Sequence, residues 1–282
     1  MAKVRYSLNQ SPLYGLLGKG KLAELLGIDL DCLDRLLNPK SYRVWMTETG
    51  REIQQPIGWL ESVHKRISDL LSRIDLPEYV FSQKGRSYVD NARQHIGPHL
   101  LAKTDISKFY PSTTHYMVWN MFVTEFRCAK DVAGILADIC CYKQHLPTGS
   151  PLGGRVAFFA ALPMFDEIAR LASSAGNRMT LYVDDVTVSG PGATKEFLAK
   201  VRGVIRRHGF KTKEKKSKTF APYSAKTVTG VIVSNEQVLL PNSRHKKIWT
   251  LKQEIRTANK DERAKMLRAL KGRESEARII AR

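Results

Sequence analysis

The chain is poor in cysteine. Cys32, Cys128, Cys140 and Cys141 are the only four in 282 residues, and two of them are adjacent. No C-x-x-C pair and no paired histidine spacing occurs, which argues against a zinc site. Reduced, buried thiols in a cytoplasmic protein are the expectation. Long apolar runs are missing too. No stretch of about 18 apolar residues exists, so no transmembrane helix is expected. The opening "MAKVRYSLNQSPLYGLLGKG" has no continuous apolar segment before a small-residue cleavage site. No secretory signal is therefore expected.

Negative charge is scarce as well. Asp and Glu number 27 against 46 Lys and Arg, giving a net charge of +19. Such a surplus favours a polyanionic partner, nucleic acid ahead of anionic membrane. With no amphipathic Trp-rich anchor, no membrane role is expected. The 43% hydrophobic content allows a substantial core in one large domain or two smaller ones.

What is present reads as a mixed α+β pattern. "YRVWMTETGREIQQP" alternates around a Thr-Gly turn and predicts a β-hairpin. In "IGWLESVHKRISDLLSRI", Leu60, Val63, Ile67, Leu70, Leu71 and Ile74 recur at helical spacing. "HLLAKTDISKFYP" predicts a strand ending near Asp105. "LPTGSPLGG" is a loop by its Pro and Gly content. "RVAFFAALPMFDEIARLAS" predicts a buried helix kinked at Pro163. "KTVTGVIVSNEQVLLPN" predicts two strands around Asn235-Glu236, and the chain finishes in basic helices.

Residues 180–190 read "TLYVDDVTVSG", two strand-like flanks around adjacent aspartates. A plain turn would favour Asp-Gly or Asn-Gly, not Asp-Asp. Asp184 and Asp185 are expected at a hairpin tip, 79 residues after Asp105 ends its own strand. If those strands are sheet neighbours, three carboxylates converge. Such a cluster is costly without cations to compensate it. Hard oxygen ligands suit Mg²⁺, and two such ions can serve phosphoryl transfer.

Here the chain resembles a known family. "YVDD" at 182–185 is similar to the YxDD box of reverse transcriptases, "TDISKFYPS" at 104–112 to their first catalytic motif, and "LPTGSP" at 146–151 to their LPQGxP loop. "NARQH" at 91–95 and "VTG" at 228–230 resemble the NAxxH and VTG motifs of retron reverse transcriptases. Those bacterial enzymes copy part of a structured non-coding RNA into branched RNA–DNA. The resemblance covers roughly residues 40–240. It implies an α+β right-hand polymerase fold: fingers over 1–100, palm over 101–240 with a fingers return near 130–175, and a short basic thumb over 241–282.

The resemblance also assigns roles. Asp105, Asp184 and Asp185, with the Ile106 carbonyl, would coordinate two Mg²⁺ ions. Tyr110 would be the steric gate against a ribose 2′-hydroxyl, with an ordinary core tyrosine as the alternative. Arg51 would hold the incoming triphosphate, with Arg43 as second candidate; a planar guanidinium suits phosphate oxygens. Thr148 and Gly149 lie in the nucleotide loop. Lys216 matches a lysine acting on pyrophosphate, with Lys215 and Lys218 competing.

Asn91, His95, Val228, Thr229 and Gly230 would contact the cognate RNA. His95 reads equally as a buried structural histidine, and Val228, Thr229 and Gly230 as plain strand. Arg244, Lys246 and Lys247 would supply affinity for RNA. Trp249 would stack on a base or anchor its helix. One departure stands out: Thr148 replaces the family's glutamine, and its hydroxyl reaches less far. Nucleotide support is therefore expected to be weaker, and Thr148→Gln to improve it. The implied partners are a structured non-coding RNA and its DNA copy, deoxynucleoside triphosphates, and an effector protein in phage defence. The rival readings are another defence-associated or abortive-infection reverse transcriptase, and a catalytically idle RNA-binding scaffold.

Overall fold

The computed structural model describes residues 4–281. Two units form within it. One comprises residues up to Pro77 with Ile106–Glu167 and Val204–Thr212; the other comprises Glu78–Asp105, Ile168–Gly203 and everything from Lys213 onward.

The first unit is mainly helical. Its hairpin pairs β1 (Tyr42–Met46) with β2 (Glu52–Pro56), Trp45 opposite Ile53. The turn closes where expected, with Gly50 at φ +73°, which a side chain would resist. The helix Gly58–Ser72 follows and buries Leu60, Val63, Ile67, Leu70 and Leu71 of the predicted stripe, while Ile74, also buried, lies just past its end. Helices His115–Thr124, Lys130–Cys140 and Gly153–Ala160 complete a core around Phe122, Phe126 and Phe159. Thr114 caps the first of these, its Oγ1 accepting from the Met117 amide at 3.3 Å. The predicted kinked helix is two helices instead. The first stops at Ala160, and Leu162–Ser174 begins one residue before Pro163. A proline in the first turn of a helix forfeits no hydrogen bond, so the chain breaks there rather than bending.

The second unit is built on a four-stranded antiparallel sheet. Its order is β4 (Arg178–Tyr182), β5 (Asp185–Ser189), β3 (Leu101–Asp105), β6 (Lys218–Phe220). Val80 bridges in parallel to Leu181 along the outer side of β4. The short helix Tyr88–Arg93 is held by a full capping box: Ser87 Oγ accepts from the Asp90 amide, and the Asp90 carboxylate accepts from the Ser87 amide. A second sheet runs β7 (Lys226–Val228), β8 (Val231–Val233), β9 (Val238–Leu239). The β8–β9 pair lies around Asn235-Glu236 as expected. The "VTG" segment is not a plain strand, however. Val228 ends β7, and Thr229-Gly230 makes a two-residue turn with both φ values positive, +44° and +84°. That is the backbone twist tight hairpins require. Helices Asn242–Thr257 and Lys260–Ala281 follow. Val89, Ala92, Leu101, Val228, Val231, Val233, Val238 and Ile280 form one buried cluster, so the end of the last helix is part of this unit's core.

Candidate active site

β3 pairs with β5 so that Asp105 stands directly opposite Asp185. Tyr182 on β4 is opposite Asp185 on its other side. The hairpin loop consists of Val183 and Asp184, so the expected Asp-Asp tip is shifted by one: Asp185 is the first residue of the strand. The pairing of Tyr182 with Asp185 causes this, because it leaves Val183 and Asp184 as the two turn residues. Asp185 in the strand and Asp184 in the loop gain separate positions. Val183 takes φ +58°, a left-handed value that a β-branched residue rarely adopts. Its amide donates to Ser82 Oγ at 3.1 Å, which holds the tip.

Like charges placed directly opposite across a sheet destabilise it. Burial raises the pKa of Asp184, and the nearby Asp105 charge raises it further. Asp185 is pushed up chiefly by burial, Lys103 opposing and the two other carboxylates adding. Cations answer this. Lys213 and Lys216 each form an ion pair with Asp105, and Lys213 Nζ lies 3.9 Å from Asp184. The bond to Asp105 raises the pKa of Lys216 and keeps it an ammonium. Lys213 caps the start of the 3-10 turn Glu214–Lys216 and Lys216 ends it, and residues three apart in such a turn eclipse. The Lys213 amide donates to the Asp105 carbonyl at 2.9 Å, tying this turn to the end of β3. Of the competing lysines, Lys216 is the one placed on Asp105. Lys213 was not singled out from sequence, although the three-residue spacing within "KTKEKKSKTF" carried the signal.

The residues suit a hard divalent cation. Three carboxylates gather at one end of one sheet, and Asp185 Oδ1 is buried with no hydrogen-bond partner. A buried carboxylate oxygen left unpaired is costly unless a cation meets it. As the side chains stand, no three His, Cys, Asp or Glu among the described residues are grouped as metal ligands. Asp105 is instead held by its two lysines.

In the helical unit, the loop residues of "LPTGSP" are stitched to β2. Thr148 Oγ1 donates to the Glu52 carbonyl at 2.7 Å, and the Gly149 amide donates to the Gln54 carbonyl at 3.1 Å. A Cβ on Gly149 would stand 2.9 Å from that carbonyl oxygen, so the close approach needs glycine. Ser150 Oγ lies 2.7 Å from Nδ1 of the buried His64, whose Nε2 lies 2.8 Å from the Ile139 carbonyl. Nε2 is therefore the donor to Ile139, and Nδ1 accepts from Ser150. Burial lowers the His64 pKa to about 4 and keeps the ring neutral. The reach of Thr148 is short, as expected, but its hydroxyl is committed to β2. Arg43 and Arg51 are exposed on the hairpin, Arg43 5.5 Å from the Trp45 ring centroid. Thr47 closes the turn by accepting from the Arg51 amide at 3.0 Å. Tyr110 lies beside the helix start at Gly153, where a Cβ would be 3.5 Å from its ring.

The RNA-contact candidates divide sharply. Lys246, Lys247 and Trp249 are exposed, Trp249 at 62%. Arg244 pairs with Glu276 at 2.7 Å and lies over the Tyr88 ring. Thr229 Oγ1 donates to the Tyr88 carbonyl at 2.7 Å. Asn91 and His95 are fully buried, as is Val228. Any part that Asn91 and His95 take in RNA choice therefore runs through the elements they hold. His95 Nδ1 lies 2.7 Å from Ser189 Oγ and Nε2 2.7 Å from Thr180 Oγ1. Burial lowers its pKa to about 3, with Arg178 adding to the effect.

The reverse transcriptase (RNA-dependent DNA polymerase) family model matches residues 34–255. Among curated proteins, the chain is 30% identical over 203 residues to the retron Ec86 reverse transcriptase of Escherichia coli, covering 71% of this chain and 62% of that protein. It is 27% identical to the retron Se72 reverse transcriptase of Salmonella heidelberg (strain 579083-10), covering 67% of this chain and 51% of that protein. The chain thus spans about half to three-fifths of these relatives' length. Two solved structures share the fold. Apo telomerase from Candida tropicalis, truncated from its C-terminal domain, matches with TM-score 0.52 at 12% identity, over 71% of this chain and 54% of that one. Telomerase from Candida albicans, in complex with a TWJ fragment of telomeric RNA, gives TM-score 0.53 at 9% identity, over 76% and 50%. These likenesses bear out the α+β right-hand polymerase fold. The chain belongs to the reverse transcriptase (RNA-dependent DNA polymerase) family.

Proposed function

We propose that the protein is an RNA-directed DNA polymerase of the retron type, copying part of a structured non-coding RNA into branched RNA–DNA. The observation that carries the reading is the Asp105–Asp185 register with Asp184 beside it, in a chain of this family. In the reaction a primer hydroxyl, in retrons a ribose 2′-hydroxyl of the same RNA, attacks the α-phosphate of a deoxynucleotide. The new phosphodiester forms, the bond to the β-phosphate breaks, and pyrophosphate leaves.

Asp105, Asp184, Asp185 and the Ile106 carbonyl would hold two Mg²⁺ ions. When bound, these supply charge neutralisation for the attacking and leaving oxygens. Lys216, already an ammonium, would neutralise or protonate pyrophosphate, and Lys213 has the charge to share that task. Arg51 and Arg43 would grip the triphosphate. Thr148 and Gly149 would line the nucleotide loop, and Tyr110 would exclude the 2′-hydroxyl. We assign the fingers to residues 1–100 with a return near 130–175, the palm to the remainder of 101–240, and the thumb to 241–282. Exposed Lys246, Lys247 and Trp249 on that last segment would bind RNA. A cytoplasmic setting, and an effector protein in phage defence, complete the retron reading.

The direct test is substitution at the hairpin. Asp184→Asn or Asp185→Asn should abolish primer extension in Mg²⁺ while leaving folding and RNA binding intact; near-normal extension by either refutes the assignment. Sequencing the nucleic acid that co-purifies from the native operon separates the retron from other defence-associated reverse transcriptases. A branched RNA–DNA species is the retron outcome.

A further inference from the structure

We propose that His95 is a positioning residue for the catalytic hairpin, and that this is what the "NARQH" segment contributes to the reaction. The proposal rests on the polymerase reading of Asp105, Asp184 and Asp185. The imidazole lies 2.7 Å from Thr180 Oγ1 on β4 and 2.7 Å from Ser189 Oγ on β5, the two strands that meet at Val183-Asp184. In the pairing of these strands Thr180 is opposite Thr187, and Ser189 is opposite Arg178. His95 therefore reaches diagonally across the pair. By the pleat, Thr180, Tyr182, Asp185 and Ser189 share one face of the sheet. A one-residue slip would turn one hydroxyl to the other face and break its bond to the ring. The β4–β5 register that satisfies both ring nitrogens is the one that sets Asp185 opposite Tyr182, and Asp185 is in turn the residue that β3 places opposite Asp105.

The mount of His95 is itself fixed. Its neighbour Gln94 accepts from Arg178 Nη1 at 2.7 Å, a third tie from this segment to the hairpin and the second to β4. The helix that leads into it carries the Ser87–Asp90 capping box and accepts the Thr229 hydroxyl bond on the Tyr88 carbonyl. At the far end of the hairpin, Ser82 holds the Val183 amide. The hairpin is thus clamped at base and tip by separate partners. Outer groups that orient ligating carboxylates commonly change metal affinity or activity by about 10- to 100-fold when removed.

The test separates positioning from packing. His95→Leu removes both bonds. His95→Gln keeps one donor and one acceptor. The triple variant His95→Leu/Thr180→Val/Ser189→Ala removes the hydroxyls as well, so neither of the groups that His95 satisfied is left unpaired. Mn²⁺ affinity is read by electron paramagnetic resonance, kcat and deoxynucleotide KM by single-nucleotide extension, and folding by thermal melting. We expect His95→Leu to weaken Mn²⁺ binding by about tenfold and to lower kcat, with KM within about twofold. His95→Gln should recover most of both. The triple variant should regain the melting temperature but not the Mn²⁺ affinity, and it carries the test if His95→Leu does not fold. Wild-type Mn²⁺ affinity and kcat in folded His95→Leu or in the triple variant overturn the proposal. If wild type and Asp185→Asn bind Mn²⁺ alike, the polymerase reading fails instead, and the positioning role with it.

Discussion

Thr148 and Asn91 show how much a side chain's role depends on what it touches. The hydroxyl of Thr148 donates to the Glu52 carbonyl at 2.7 Å, so this short residue ties its loop to the hairpin. Glutamine at this position would reach farther but would forfeit that bond. Thr148→Val should cost about 1 kcal/mol of stability for the lost bond. It should also raise deoxynucleotide KM several-fold, and Thr148→Gln should bring no gain over wild type; melting and single-nucleotide extension check both. Asn91 is fully buried, yet its side-chain oxygen and nitrogen have no partner among the described residues. Leucine has nearly the same shape and no polar atoms to leave unsatisfied. Asn91→Leu should stabilise the protein by about 1 kcal/mol. A lower melting temperature would show that the amide makes a bond that matters. Tyr110→Ala should raise ribonucleotide relative to deoxynucleotide incorporation, and an unchanged ratio would leave Tyr110 a packing residue.

At the scale of elements, the Thr229-Gly230 turn and the two buried histidines carry the consequences. Gly230 has φ +84°, and a Cβ there would meet Arg244 Nη2 at 2.9 Å. Gly230→Ala should cost about 1 kcal/mol or more through backbone strain. It should also loosen the Arg244–Glu276 pair, seen as faster amide exchange in the helix Lys260–Ala281. His95 and His64 have pKa values lowered from 6.5 to about 3 and about 4. A lowered folded pKa means that the unfolded chain takes up the proton first. The stability from each neutral ring is complete above pH 6.5 and is lost as pH falls toward its folded value. Each contributes a slope of about 1.4 kcal/mol per pH unit inside its window. His95→Gln should flatten the fall in melting temperature between about pH 6 and pH 4, and an unchanged slope would mean that the ring is not held neutral.

For the whole molecule the dominant quantity is the net charge of +19. Lysine and arginine contacts to phosphate give affinity that ignores sequence and falls steeply with salt. Lys246 and Lys247 are exposed on the helix Asn242–Thr257, and among the described residues neither has a carboxylate partner that would have to be displaced first. Neutralising both should weaken cognate and unrelated structured RNA by similar factors. The slope of log affinity against log salt should become shallower by roughly one to two. Filter binding across a salt series on both RNAs makes the measurement. Loss of cognate binding alone would mean that these residues read the RNA itself.

The sequence alone determined the elements and the chemistry they carry. The hairpin at 42–56, the helix face of Leu60 to Leu71, the strand ending at Asp105 and the aspartates after "YV" were all legible. Such signals are local: a period of two or 3.6, a turn residue, a motif a few residues long. The surplus of lysine and arginine needed no fold at all. Only the tertiary structure decided the register of Asp105 on Asp185, the partnership of Lys213 with Asp105, and the burial of His95 between Thr180 and Ser189. It also made a turn of Thr229-Gly230 and a helix start, in place of a kink, at Pro163. His95 and Ser189 are 94 residues apart, and Asp105 and Lys216 are 111. No local preference encodes contacts across such distances. They follow from which strands pair and with what offset, and one residue of slip reverses every side chain on a strand.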